Sequence, residues 1–209
     1  MGQKVNPHIL RLGTLYNWNS RWFSEKNYKR TLLEDYKIRS FLMENLKHAG
    51  VAKVDIERSI NSIKIIAYVS RPGIVIGRSG TGLDDLKKLL ILKTNTPPKM
   101  DIRIEPVKEP NLDAYLVARN IADSLNRRLP YKRILGQTSS RVMDAGANGV
   151  RILLSGRIAG AEIGRREKIQ LGTVPLSTIR AKIDFASFPA LTKKGYIGIK
   201  VWINKGERK

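Results

Sequence analysis

Residues 71–90 read RPGIVIGRSGTGLDDLKKLL, four glycines set among two apolar stretches of helical spacing. Glycine is a poor helix former, so Gly77, Gly80 and Gly82 must meet a backbone need that a side chain would block. Pro72 suits the first position of a helix. Downstream, Leu83, Leu86, Leu89 and Leu90 form the apolar stripe of a second helix, with Asp84 and Asp85 in its first turn. The glycines therefore join two helices. A Walker-type loop needs Gly-x-x-x-x-Gly-Lys followed by Ser or Thr, and no such string occurs. A dinucleotide fingerprint needs Gly-x-Gly-x-x-Gly after a strand, whereas here the spacing is reversed and a helix precedes it. What remains is a Gly-x-x-Gly turn, Gly77-Arg78-Ser79-Gly80, whose missing Cβ atoms would let a sugar-phosphate chain lie on the peptide.

The elements around the turn narrow the choice further. A helix carries Leu32, Leu33, Tyr36, Leu42, Leu46 and Ala49, with Gly50 as its stop. In the next stretch Val54 and Ile56 alternate with Lys53, Asp55 and Glu57; after it, Ile63, Ile65, Ala67 and Val69 share one face of a strand. Ile74, Val75 and Ile76 are expected to pack on these strands. A third strand sets Met100, Ile102 and Ile104 opposite Asp101, Arg103 and Glu105. The order is α-β-β-α-α-β, and a Gly-x-x-Gly turn between its two middle helices is the nucleic-acid clamp of a KH domain.

PVKEPNLD, residues 106–113, marks a boundary, and Asn111 is the expected N-cap of the following helix. That helix carries Leu112, Tyr115, Leu116, Ile121 and Leu125 and must end before Pro130. A second helix runs to Gly146. The remainder reads as strands: VRILLSG, EKIQLG, the alternation Ile179, Ala181, Ile183, Phe185, and a last strand with Ile197, Ile199, Val201 and Ile203 facing opposite Lys200 and Trp202. The expectation is an α+β protein with a basic leader (1–28), a KH domain (29–108) and a second α+β domain (109–209) of helices on a mainly antiparallel sheet.

Charge decides the class of partner. The 39 Lys and Arg outnumber 18 Asp and Glu, giving +21. Such a charge strains a compact chain by self-repulsion, and a polyanion relieves it. Nucleic acid does so with release of condensed counterions. Cysteine is absent, so neither a disulfide framework nor a thiolate metal site is expected. With only His8 and His48, outside any motif, neither a catalytic triad nor a histidine metal site is expected, and no cofactor. The start, MGQKVNPHIL, has no apolar signal core, and Asn6 stands where myristoylation wants Ser or Thr. No run is long and apolar enough to span a membrane. A soluble cytoplasmic protein with no membrane partner is expected.

The strings MGQKVNPHILRLG, RPGIVIGRSG, SGRIAGAEIGRRE, GTVPLSTIRAKIDFA and GYIGIKVWINKGE, in this order, resemble successive landmarks of the bacterial-type family of small ribosomal subunit protein number three. The resemblance spans nearly the whole chain. It implies a type II KH domain, a structural and non-enzymatic role in the head of the small subunit, and partners in 16S rRNA, neighbouring head proteins and mRNA at its entrance channel. The family's adjacent basic pair at that channel falls on Lys132 and Arg133, and a third basic position falls on Gly136, a departure for which Arg127 and Arg128 could compensate. Further rRNA contacts are expected from Lys4, Arg11, Arg21, Arg165, Arg166, Lys168, Lys193 and Lys194. The competing reading is a free KH-domain regulator or ribosome assembly factor, which predicts an appended effector or a second KH copy; neither is present in the sequence.

Overall fold

Alternation in the first half is strict enough to fix a sheet with one buried face. The computed structural model describes residues 4–59, 62–77, 80–94 and 100–207. In it β2 (Val51–Arg58) runs antiparallel to β3 (Ile63–Val69), with Val54 opposite Ala67 and Ile56 opposite Ile65. β3 runs parallel to β4 (Met100–Pro106), with Ile65 opposite Ile102. Parallel neighbours need a crossover, here the helices α3 (Pro72–Ile76) and α4 (Thr81–Thr94). With α2 (Tyr28–Asn45) ahead of β2, the α-β-β-α-α-β order is present. A two-residue strand, β1 (Ser20–Arg21), adds to the free side of β2.

The core under that sheet differs in part from the expected stripe. Ile38, Phe41, Leu42 and Leu46 of the first helical stretch are buried, but Leu32, Leu33 and Tyr36 are exposed. Burial in α2 starts at Asp35, so its first two turns lie outside the core. Of the three residues before Gly77, only Val75 is buried; Ile74 and Ile76 are exposed beside the turn. In α4, Leu90 is fully buried and Leu83 and Leu86 are partly so, while Leu89 faces solvent. One buried ionic cluster sits in this core's wall. Arg58 Nε donates to Asp35 Oδ1 at 2.7 Å, Trp22 Nε1 donates to Asp35 Oδ2 at 2.7 Å, and Arg58 Nη1 reaches Glu34 Oε2 at 2.9 Å. Trp22, an aromatic of the basic leader, is thus bound to its own fold.

In the second half α5 (Ala114–Asn126) and α6 (Tyr131–Asp144) cover a fully antiparallel sheet of β5 (Gly149–Gly156), β6 (Arg165–Gly172), β7 (Ala181–Thr192) and β8 (Gly195–Glu207). The spatial order is β6-β5-β8-β7. Val150, Ile152, Leu154, Ile199, Val201 and Ile203 are fully buried beneath the helices. Each such side chain removes enough apolar surface from water to contribute about 1.5–3 kcal/mol. The odd-numbered residues of β7 do not join that core. Ala181, Ile183 and Phe185 gather with Trp202 on the other face in a smaller cluster. The N-cap of α5 is Asp113, not Asn111: its Oδ1 accepts from the N–H groups of Tyr115 and Leu116, both at 3.0 Å.

The chain divides into two units, Trp18–Lys108 and a second one that combines the segment ending at Asn17 with Glu109–Lys209. The leader is therefore shared between them. Its first part is held by Arg11, which is fully buried. Arg11 Nε donates to the Ala181 carbonyl at 2.7 Å, and its Nη atoms donate to the carbonyls of Pro7, Pro175, Leu176 and Thr178 at 2.8–3.4 Å. Tyr16 Oη donates to the Ile183 carbonyl at 2.8 Å. Following Asn6, the short helix α1 (Pro7–Leu10) brings His8 Nε2 within 3.0 Å of Asp184 Oδ1.

Asp184 also accepts from Lys205 Nζ at 2.8 Å and from the Ala114 N–H at 3.2 Å. Burial pushes its pKa up, but the His8 hydrogen bond and the Lys205 ammonium outweigh burial and hold the carboxyl well below the ordinary range. A folded-state pKa below the unfolded one gives stability that is present above about pH 4 and lost as pH falls. Asp113, raised by burial and by Asp184, acts in the opposite sense, and the larger displacement belongs to Asp184. The urea midpoint of this unit is expected to drop between about pH 5 and pH 3. Asp184→Asn, less stable at neutral pH, should flatten that dependence. Equal slopes in the two proteins would exclude Asp184 as the responsible group.

Candidate nucleic-acid interface

Three candidate surfaces emerge from the residues named above, one in the first unit and two in the second. The first is the glycine turn. Gly77 ends α3 with φ 69° and Gly80 has φ 82°, both in the left-handed region that favours glycine. A Cβ at Gly80 would meet nothing within 4 Å, so that backbone is open to an approaching ligand. Gly82 has a different task. A Cβ there would come within 2.5 Å of the Val75 carbonyl oxygen, so its bare backbone lets α4 pack on the end of α3. Arg78 and Ser79 lie outside the described residues. Ile74 and Ile76 supply exposed apolar surface next to the turn.

The second surface is the junction of α5 and α6. Arg127, the C-cap of α5, and Arg128 precede Pro130, and Lys132 and Arg133 follow it in the first turn of α6. All four are exposed, while Ile134 and Leu135 turn into the core. No acidic residue stands in the first turn of α6. The free N–H groups and dipole of a helix start attract anions and repel cations, so two cations at this end add to a positive field instead of cancelling it. At Gly136 a Cβ would meet nothing within 4 Å and φ is ordinary. Packing does not demand glycine there.

The third surface is the sheet face turned away from the helices. Cross-strand register sets Lys168 and Lys200 on either side of Leu153, and Arg151 between Gln170 and Trp202. Arg166 lies on the same side of β6 as Lys168, two residues away. Lys4 Nζ is 5.8 Å and the Arg151 guanidinium 5.2 Å from the Trp202 ring centroid. Burial, then the charges of Arg151, Lys168 and Lys200, pull the Lys4 pKa down. These cations repel one another, and an anion on this face would relieve them.

Not all expected contacts belong to these surfaces. Arg11 is buried against carbonyls and has no access to RNA; an arginine near a basic terminus looked like a surface contact only because four of its five carbonyl partners lie 164–170 residues away. Arg165 points to the opposite face of β6 from Arg166, pairs with Glu167 at 3.7 Å and stands 5.9 Å from the Tyr131 ring centroid. Arg21 pairs with Glu57 at 3.2 Å on the edge of the other sheet. Lys193 and Lys194 form the turn between β7 and β8 and border a cavity. Arg151 and Lys200 were missed. Their alternation with buried residues was legible, but only register shows that they meet Lys168. Among the described residues no group of three metal-ligating side chains occurs and no helix is long and apolar enough to cross a membrane.

Two known families match the chain in succession. The KH domain family matches residues 37–112, and the family described as "Ribosomal protein S3, C-terminal domain" matches residues 121–203. Small ribosomal subunit protein uS3 of Desulfitobacterium hafniense is 48% identical over 207 residues, covering 99% of this chain and 94% of the relative. The protein of the same name from Hydrogenovibrio crunogenus is 47% identical over 209 residues, covering 100% of this chain and 91% of its own. That from Caldanaerobacter subterraneus is 48% identical over 208 residues, with 99% and 93% covered.

Proposed function

Because the chain belongs to the small ribosomal subunit protein uS3 family, we propose that it is a structural, non-enzymatic component of the small subunit that binds 16S rRNA and helps line the channel through which mRNA enters. It would act ribosome-bound in the cytoplasm. The glycine turn at Gly77 and Gly80 offers backbone for a phosphate chain to lie on. The sheet face of Lys4, Arg151, Arg166, Lys168 and Lys200 supplies sequence-independent phosphate contacts, which fix position without reading bases.

One observation carries the channel reading: the α5–α6 junction places Arg127, Arg128, Lys132 and Arg133 in solvent at a helix start with no acidic residue in its first turn. Such a site holds a moving strand by charge, without hydrolysing a nucleotide. The test is Lys132→Ala combined with Arg133→Ala. Both side chains are exposed, so the variant is expected to fold and to sediment with small subunits on a sucrose gradient. Translation of messages with stable structure near the start is expected to fall about tenfold, since loss of two phosphate contacts removes on the order of 1–2 kcal/mol, while unstructured messages are translated normally. Equal translation of both message types would overturn the channel role. A chain found only in light fractions would overturn the ribosomal role.

A further inference from the structure

A cavity of about 660 Å³ opens between the α5–α6 junction and the β7–β8 turn. Its walls are aliphatic: Leu125, Leu129, Leu191 and Ile197 line it, and Leu129 and Leu191 are 49% and 61% exposed. Its rim is cationic, with Arg157, Lys193 and Lys194, and no acidic residue lines it. Two tight turns shape its wall. Among the described residues only Arg128 and Ala159 are non-glycine residues with positive φ, 61° and 57°, and both form its wall. Arg128 is the left-handed residue that closes α5, its N–H bonded to the Leu125 carbonyl and the Leu129 N–H to the Ser124 carbonyl, and Ala159 lies in the turn Ile158–Gly160. Beside Ala159, Gly160 lets the stem of Lys194 lie close. A Cβ at Gly160 would come within 2.6 Å of Lys194 Cδ.

We propose that this cavity docks a short acidic segment of a protein partner, with an aliphatic side chain seated between Leu129 and Leu191 and flanking carboxylates on Arg157, Lys193 and Lys194. The charge at the rim is complementary to carboxylates, and the aliphatic floor to a leucine-type anchor. An RNA base fits the same place less well. Bases stack on flat aromatic or guanidinium faces. The one aromatic lining residue, Tyr131, already has the Arg165 guanidinium 5.9 Å from its ring centroid, and of the two lining guanidinium groups, Arg128 and Arg157, the latter donates its Nε–H to the Ala161 carbonyl at 2.9 Å.

The experiment is fluorescence anisotropy of the full chain with two labelled short peptides of equal charge, one alternating aspartate with leucine, the other aspartate with serine. Oligouridylate serves as a third probe. The leucine peptide is expected to bind at least about tenfold more tightly than the serine peptide, since one seated aliphatic side chain is worth about 1.5–3 kcal/mol. Leu191→Ser, and separately Leu129→Ser, should abolish that difference. Their exposure lets both variants fold, which circular dichroism verifies. Lys193→Glu with Lys194→Glu should weaken the leucine peptide about tenfold or more. Equal affinity for the two peptides, absence of binding, or indifference to Leu191→Ser would overturn the proposal. Loss of oligouridylate affinity in Leu191→Ser would overturn it too, in favour of a base as the occupant.

Discussion

An Asp35→Ala variant is expected to lose about 4 kcal/mol of unfolding free energy in the unit Trp18–Lys108. With a denaturant slope of about 2 kcal/mol per molar urea, the midpoint should fall by about 2 M. The Asp35 side chain is only 2% exposed and that of Arg58 only 12%. Removing the carboxylate leaves a buried guanidinium with Glu34 as its remaining acidic neighbour, and strips the Trp22 indole N–H of its acceptor. Breaking a buried pair on one side costs more than the pair contributes, because the survivor stays desolvated. Asp35→Asn keeps the shape and one acceptor, so it should fall between the two. Trp22 gives an independent readout through its fluorescence. A loss below about 1 kcal/mol would mean that solvent reaches Arg58 and that the cluster behaves as a surface ion pair.

Replacing Arg11 by methionine should cost the other unit about 3 kcal/mol. Methionine restores apolar volume, but the five carbonyls that receive Arg11 belong to the backbone and cannot be substituted away. Each buried acceptor left bare costs about 1–3 kcal/mol, offset in part by relief of the buried charge. Arg11→Lys should recover little, since an ammonium lacks the planar fork that reaches several carbonyls at once. Urea unfolding of the three proteins would measure this. A methionine variant as stable as the parent would show that relaxation or water satisfies those carbonyls.

The first unit was legible because its signals are local. Alternation in 63–69 and 100–106 places every expected apolar residue of β3 and the first two of β4 in the core, and the helix-turn-helix around Gly77 follows from spacing. Where reading failed, the cause was distance along the chain. Tyr36 has helical spacing, yet nothing local says that α2 overhangs its sheet. Gly82 stood in the sequence only as a further glycine beside the turn, and the crossing of two helices shows that it serves packing. Arg11 and His8 carry no local signal of burial, because their partners at Ala181 and Asp184 are set by topology. The basic sheet face was half visible: Lys168 stood out in a charged run, while Arg151 and Lys200 needed the order β6-β5-β8 to join it. The α5–α6 cations were legible as sequence neighbours, but the cavity beside them was not, since it needs the β7–β8 turn as its other wall.

That Arg11 is gripped by carbonyls of Pro175 to Ala181 has a consequence for how the molecule is made. The arm bearing Arg11 is synthesised before the inner unit, and its receptors after it. Trp18–Lys108 is an insertion between them with its own hydrophobic core, so it can reach its native state while the arm still waits. Closure of the second unit thus follows the inner unit in the order of synthesis, and a chain interrupted before Pro175 carries a finished inner unit and an unclaimed arm.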